Sequence, residues 1–121
     1  INANSDSAVA GPGSDLNNLS NIGSTFEIFS SITKTGSLIV KVANANDVMI
    51  GSAILIDDTS DNTVGFETVA TSDTITLNGT TTGGVTFSKI VCTAISSTQW
   101  KVEVTSACTG TPATPFSATV S

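Results

Sequence analysis

The strongest constraint in this chain is a two-residue apolar period that recurs in short runs and never yields to a sustained helical one. In "QWKVEVTS" (99–106), Trp100, Val102 and Val104 fall on one face, and Gln99, Lys101 and Glu103 on the other. That is the pattern of a half-buried antiparallel strand. "TFEIFSSI" (25–32) sets Phe26, Ile28 and Ser30 against Glu27 and Phe29, a strand with a partly buried second face. "SLIVKVANA" (37–45) and "DVMIGSAILID" (47–57) are rich in Ile, Val and Leu, and Asn44-Ala45-Asn46 between them predicts a hairpin or a tight corner. "VGFETVA" (64–70) and "TITL" (74–77) alternate again after the polar turn "DDTSDNT" (57–63). The clearest hairpin joins "VTFSKIVCTAI" (85–95) to 99–106 through Ser96-Ser97-Thr98; with Ala94 opposite Trp100, Cys92 falls opposite Val102 on the core side. "TGTPATPFSATV" (109–120) carries two prolines, which fit an edge strand or an extended tail but not a central strand. Seven or eight short strands with almost no helix predict an all-β fold. Its expected form is an antiparallel β-sandwich or a jelly-roll-like barrel over residues 24–121.

The length, 121 residues, suits one domain with a modest core. Residues 1–14, "INANSDSAVAGPGS", are small and polar and are broken by Gly-Pro-Gly, so an extended N-terminal arm is expected over residues 1–23. Within it Ser14 fits a helix N-cap, with Leu16, Leu19 and Ile22 at three-residue spacing and Gly23 as the stop. Two turns of helix cannot stand alone in water, so this piece is expected to dock on something. The chain opens on Ile1 rather than Met, so an upstream segment is expected to have been removed; no charged-then-apolar signal segment is present.

Composition narrows the function classes. The chain has no His, four Lys as its only cations, ten acidic residues and a net charge of -6. Neutralising phosphates takes clustered Lys or Arg, so nucleic acid is not an expected partner. An acidic surface is also repelled by anionic lipid headgroups, and no apolar run reaches the ~20 residues of a membrane span, so no membrane partner is expected either.

Catalytic signals are few. Without His, Ser-His and Cys-His nucleophile systems are excluded. Cys92 and Cys108 stand in no metal-type spacing and have no cationic activator nearby in sequence. They form one disulfide or serve as two small buried apolar side chains, and the redox compartment decides which. A bridge would need the chain to fold back after Ser106. Glu27, Glu67 and Glu103 lie on alternating strands, where solvated carboxylates are the expectation rather than a glycosidase pair. "DDTSDN" (57–62) places Asp57, Thr59 and Asp61 at the first ligand positions of a calcium loop. Asn62 stands where the loop needs Gly and Thr68 where it needs Glu, so an ordinary turn is expected. No enzyme activity, cofactor or metal is expected. Two sequons, Asn18-Leu19-Ser20 and Asn78-Gly79-Thr80, bear on function only in a glycosylating host.

The stretch "DTITLNGTTTGG" (73–84) poses a sharper question, because a threonine run ending in two glycines directly follows an alternating strand. Gly83-Gly84 is followed by neither a Lys nor a helix start and so is no phosphate cradle. A sharp corner is expected instead, with Gly83 or Gly84 at positive φ. The tract "TITLNGTTTGGV", then "SSTQWKV", then "TGTPATPF", resembles a module in small virion structural proteins of tailed bacteriophages. In those proteins a strand ending in an Asn-Gly-Thr-rich turn leads into a hairpin with a single Trp and closes on Gly-Thr, Thr-Pro and Phe. The matching residues are Leu77, Asn78, Gly79, Gly83, Gly84, Trp100, Gly110 and "ATPF" (113–116), with a fainter echo in "ANANDVMIGSAILI".

The resemblance implies a non-enzymatic capsid decoration (cement) protein on the virion surface. Its implied place is at subunit junctions of the shell, and its implied partners are the major capsid protein or identical subunits in a lattice. A homo-oligomer is expected. The Ser/Thr content, roughly three residues in ten, and the few long charged side chains suit packing against neighbours. Two other classes compete: a subunit of an extracellular filament completed by strand addition, and a carbohydrate-binding module. The latter needs exposed aromatic platforms, whereas Trp100 is expected to be a buried anchor beside Val102 and Val104.

Overall fold

The structure, a computed structural model, describes residues 22–120. Apart from Ile22 and Gly23, the expected arm and its capped turn lie outside the described residues. Among the described residues eight strands succeed one another in order: β1 (Thr25–Phe29), β2 (Leu38–Lys41), β3 (Val48–Asp57), β4 (Thr63–Glu67), β5 (Thr74–Leu77), β6 (Lys89–Ser96), β7 (Gln99–Cys108) and β8 (Phe116–Ser117). They form a five-stranded sheet, β1-β6-β7-β3-β4, and a three-stranded sheet, β2-β5-β8, packed as a sandwich. Of the two expected architectures, the structure adopts the sandwich.

The hairpin of β6 and β7 has the expected register, with Ala94 opposite Trp100 and Cys92 opposite Val102, and a bulge between Ala94 and Ser96. The proline-bearing tail supplies β8, which pairs with β5 alone and lies at an edge, as a strand flanked by prolines must. Asn44–Asn46 makes a corner, not a hairpin. Here β2 belongs to the small sheet and β3 to the large one, and Asp47 N donates to Asn44 O at 3.0 Å to turn the chain between them.

Two features depart from the expected pattern. At the centre of the large sheet β3 and β7 run parallel over ten residues, Val48 opposite Gln99 through Asp57 opposite Cys108. All other pairings are antiparallel. β7 is buried on its inner face only and alternates accordingly, and such an alternation marks a half-buried strand without fixing the direction of its neighbour. The strand expected over 85–95 begins only at Lys89. Val85–Ser88 is a turn closed by Ser88 N to Val85 O at 3.0 Å, and Phe87 sits at φ 73°, which breaks any ladder.

The inner faces meet in one core. Met49 and Ala53 of β3, Ile90, Cys92 and Ala94 of β6, and Trp100, Val102 and Val104 of β7 pack against Val40 and Val42 of the β2 segment, Ile75 and Leu77 of β5, and Phe116 of β8. Each fully buried Val, Leu, Ile or Met among them contributes ~1.5–3 kcal/mol of transfer free energy.

Candidate functional site

Two segments of the resembling tract, residues 74–85 and 109–116, meet at one turn. Asn78, directly after β5, organises it. The side-chain Oδ1 accepts from Thr80 N at 2.8 Å, Thr80 Oγ1 at 3.1 Å and Thr82 N at 3.2 Å. Its Nδ2 donates to Thr81 Oγ1 at 3.1 Å, and its backbone N to Thr82 Oγ1 at 2.8 Å. An Asn side chain can serve three local donors because its carbonyl oxygen has two lone pairs and its short stem stays beside the backbone. Gly79 N to Gly83 O, 2.7 Å, closes the loop.

The loop then ties remote segments together. Thr80 O accepts from Thr109 N at 3.1 Å, and Thr81 O from Ala113 N at 3.0 Å, which fastens the C-terminal "TGTPATPF" to the threonine run. Gly84 O accepts from Lys34 N at 2.8 Å, and Gly84 N donates to the buried Ser106 Oγ of β7 at 3.1 Å. Ser106 Oγ lies 2.8 Å from the hydroxyl of Ser88, also buried. The polar threonine run is therefore a cross-brace joining both sheets and the tail.

Gly83 and Gly84 occupy the predicted corner, at φ 94° and 101°. A Cβ on Gly83 would lie 2.8 Å from Ser106 Oγ, and one on Gly84 3.0 Å from Gly79 N. Gly79, at φ 88°, is tighter still: a Cβ there would come within 2.1 Å of Lys34 O. The Asn-Gly dipeptide was the sequence signal for that position.

Trp100 is fully buried, with its ring 5.6 Å from that of Phe26 in a tilted arrangement. It cannot serve as an exposed sugar platform. Its Nε1 has no hydrogen-bond partner.

The two cysteines are free and buried, and the disulfide alternative is excluded by geometry. β7 runs on straight past Ser106, so Cys108 pairs with Asp57 while Cys92 pairs with Val102, six residues back along the same strand. Six residues of strand span ~20 Å, far beyond disulfide reach. Burial pushes the Cys92 thiol up to about 11. Cys108 is also raised, by burial first and then by Asp57 and Asp58. Neither thiol is a nucleophile at neutral pH.

The other candidates separate. Glu27, Glu67 and Glu103 are exposed, on β1, β4 and β7. Asp57 does not reach toward an open site: its Oδ1 accepts from Thr59 N at 2.9 Å, and Asp57 N donates to Asn62 O at 2.8 Å, forming the β3–β4 turn with Asp61 at φ 60°. Among the described residues no group of three His, Cys, Asp or Glu is placed to hold a metal ion. Asn78 uses its amide nitrogen within the brace, and Asn18 lies outside the described residues.

Asp73 is the polar residue that the sequence pattern did not mark. It is buried, and its Oδ1 accepts from Thr74 Oγ1 at 2.8 Å, Thr119 N at 2.8 Å and Val120 N at 3.2 Å, with Val120 N also 3.3 Å from Oδ2. It latches the tail beside β5. The whole arrangement positions backbone and fastens segments. No protein-family model matches the chain, and comparisons with curated proteins and with solved structures give no match either.

Proposed function

We propose that the chain is a non-enzymatic virion structural protein, a capsid decoration protein that binds at subunit junctions and stabilises the shell. One observation carries this reading beyond the resemblance itself. The separated tracts that resemble phage virion proteins, residues 74–84 and 109–116, bond to each other through Thr80 O, Thr81 O and the Ile75–Phe116 pairing. A resemblance whose parts brace one another describes a structural unit rather than a scatter of Thr-rich turns. Its residues hold a rigid body whose surface is the working part, as expected of a protein that acts by contact.

The experiment is reconstitution. Shells of the source particle stripped of this chain should take it back to a saturating stoichiometry and then resist heat better. Absence of binding under those conditions rejects the reading. The filament alternative has one observation in its favour: β1 and β4 are sheet edges without a strand partner among the described residues. Growth of the isolated chain into long filaments, or its recovery from the envelope of uninfected cells, would replace the shell reading with that one.

A further inference from the structure

The two edges of the large sheet match each other. β1 (Thr25–Phe29) and β4 (Thr63–Glu67) are both five residues long. The pairings β1–β6 antiparallel, β6–β7 antiparallel, β7–β3 parallel and β3–β4 antiparallel set β1 and β4 in opposite directions. A second copy placed beside the first in the same orientation therefore brings its β4 antiparallel to β1.

Hydrogen-bond phase agrees with this. Ala94 N donates to Ser24 O and Ser30 N to Ser88 O, so the even-numbered residues of β1 bond inward to β6. By the alternation of antiparallel ladders, Thr25, Glu27 and Phe29 then turn their N–H and C=O to the edge. On the other side Asp57 N donates to Asn62 O and Thr68 N to Gly51 O, so the even-numbered residues of β4 bond to β3. Thr63, Gly65 and Glu67 face outward by the same alternation.

We infer that copies of this chain associate head to tail through these edges, β1 of one copy pairing antiparallel with β4 of the next in the register Thr25–Glu67, Glu27–Gly65 and Phe29–Thr63. This register puts edge-facing groups opposite edge-facing groups, and it sets inner-face Phe26 against Phe66 and Ile28 against Val64. Phe26 stands 48% exposed although it lies on the core-facing side, and Phe29 is 63% exposed. Phe87 (62% exposed) adjoins the same end through Phe87 N to Ser30 O, and its φ of 73° is an unusual strain for an aromatic residue.

Charge selects the second copy's opposite edge as the occupant. Beside β1, Lys89 of β6 lies 3.9 Å from Glu27, whereas the β4 side and its turn carry Asp57, Asp58, Asp61 and Glu67. In this register Lys89, opposite Phe29 on β6 and so one strand in from the edge, lies at the same end as the acidic turn that precedes Thr63 of the next copy. A β1-to-β1 pairing centred on Glu27 would oppose like charges, and a β4-to-β4 pairing would join two acidic edges. A head-to-tail contact closes into a ring or extends as a filament, according to the rotation between copies.

The test uses the full chain, with mass measured by light scattering over a range of concentrations. Wild type is expected to associate. Thr25→Glu, exposed and opposite Glu67 of the next copy, should weaken association roughly two- to fivefold by setting like charges face to face. Adding Glu67→Lys in the same chain should restore it. Monomer at every concentration, unchanged association of Thr25→Glu, or failure of Glu67→Lys to restore it would each overturn the inference. A ring or a filament supports edge pairing equally; a filament also favours the filament alternative over the shell reading, whereas shell binding is measured separately and can fail while edge pairing stands.

Discussion

Trp100 shows how a single residue converts sequence period into stability. Its side chain lies on the inner face of β7 because Trp100, Val102 and Val104 alternate with Gln99, Lys101 and Glu103, and that alternation was plain in the sequence. Truncation to Ala removes a fully buried ring and should cost ~3–5 kcal/mol in urea unfolding; a cost within error of zero would deny it the anchor role. Cys92 gives a pH-dependent counterpart. Its folded thiol titrates at about 11 against an ordinary value of 9.0, so the folded state holds its proton after the unfolded chain has lost it. Stability from this source is complete below pH 9 and falls as pH rises toward 11. At pH 10 the loss is on the order of 1 kcal/mol relative to pH 7. Cys92→Ala should lack that increment, and equal pH slopes in the two proteins would contradict the assignment. Asp73 was not legible, because its partners Thr119 and Val120 lie 46 and 47 residues along the chain and no local pattern announces such a contact.

At the scale of elements, strand existence was easier to read than strand ends. β6 begins at Lys89 rather than at Val85 because Phe87 takes a left-handed backbone conformation that the alternation of "VTFSKIV" does not reveal. The brace at 78–84 was legible as a corner, from Asn-Gly and Gly-Gly, but not as a clamp, since its bonds to Lys34, Ser106, Thr109 and Ala113 depend on the finished fold. Gly83→Val should therefore destabilise by ~2–3 kcal/mol or more, through positive φ and the closeness of Ser106, whereas Gly36→Val, in open space, should be mild. Similar midpoints for the two variants in thermal unfolding would reject the clamp. The C-terminal latch has its own test. Asp73→Ala leaves the amides of Thr119 and Val120 without their acceptor, which should cost about 2–3 kcal/mol and speed hydrogen exchange at both amides. Protection equal to wild type would show that β8 holds the tail without the carboxylate.

For the whole molecule, the sandwich was implicit in the short alternating runs, while the order of strands was not. The parallel contact of β3 with β7 joins segments about fifty residues apart, with β4, β5 and β6 between them, and apolar content alone carries no direction. The result is a β-body braced by hydroxyls and glycines, with its catalytically suggestive residues dispersed or engaged in framework bonds. That construction suits work done by surface contact. The most direct measurement of the proposed role is add-back of the purified chain to stripped shells of the proposed virion, with occupancy and the temperature at which the shells open as the two readouts. The account predicts binding that saturates at one discrete lattice position and a higher opening temperature than for stripped shells. No saturable binding, with an opening temperature unchanged by the added chain, would contradict it.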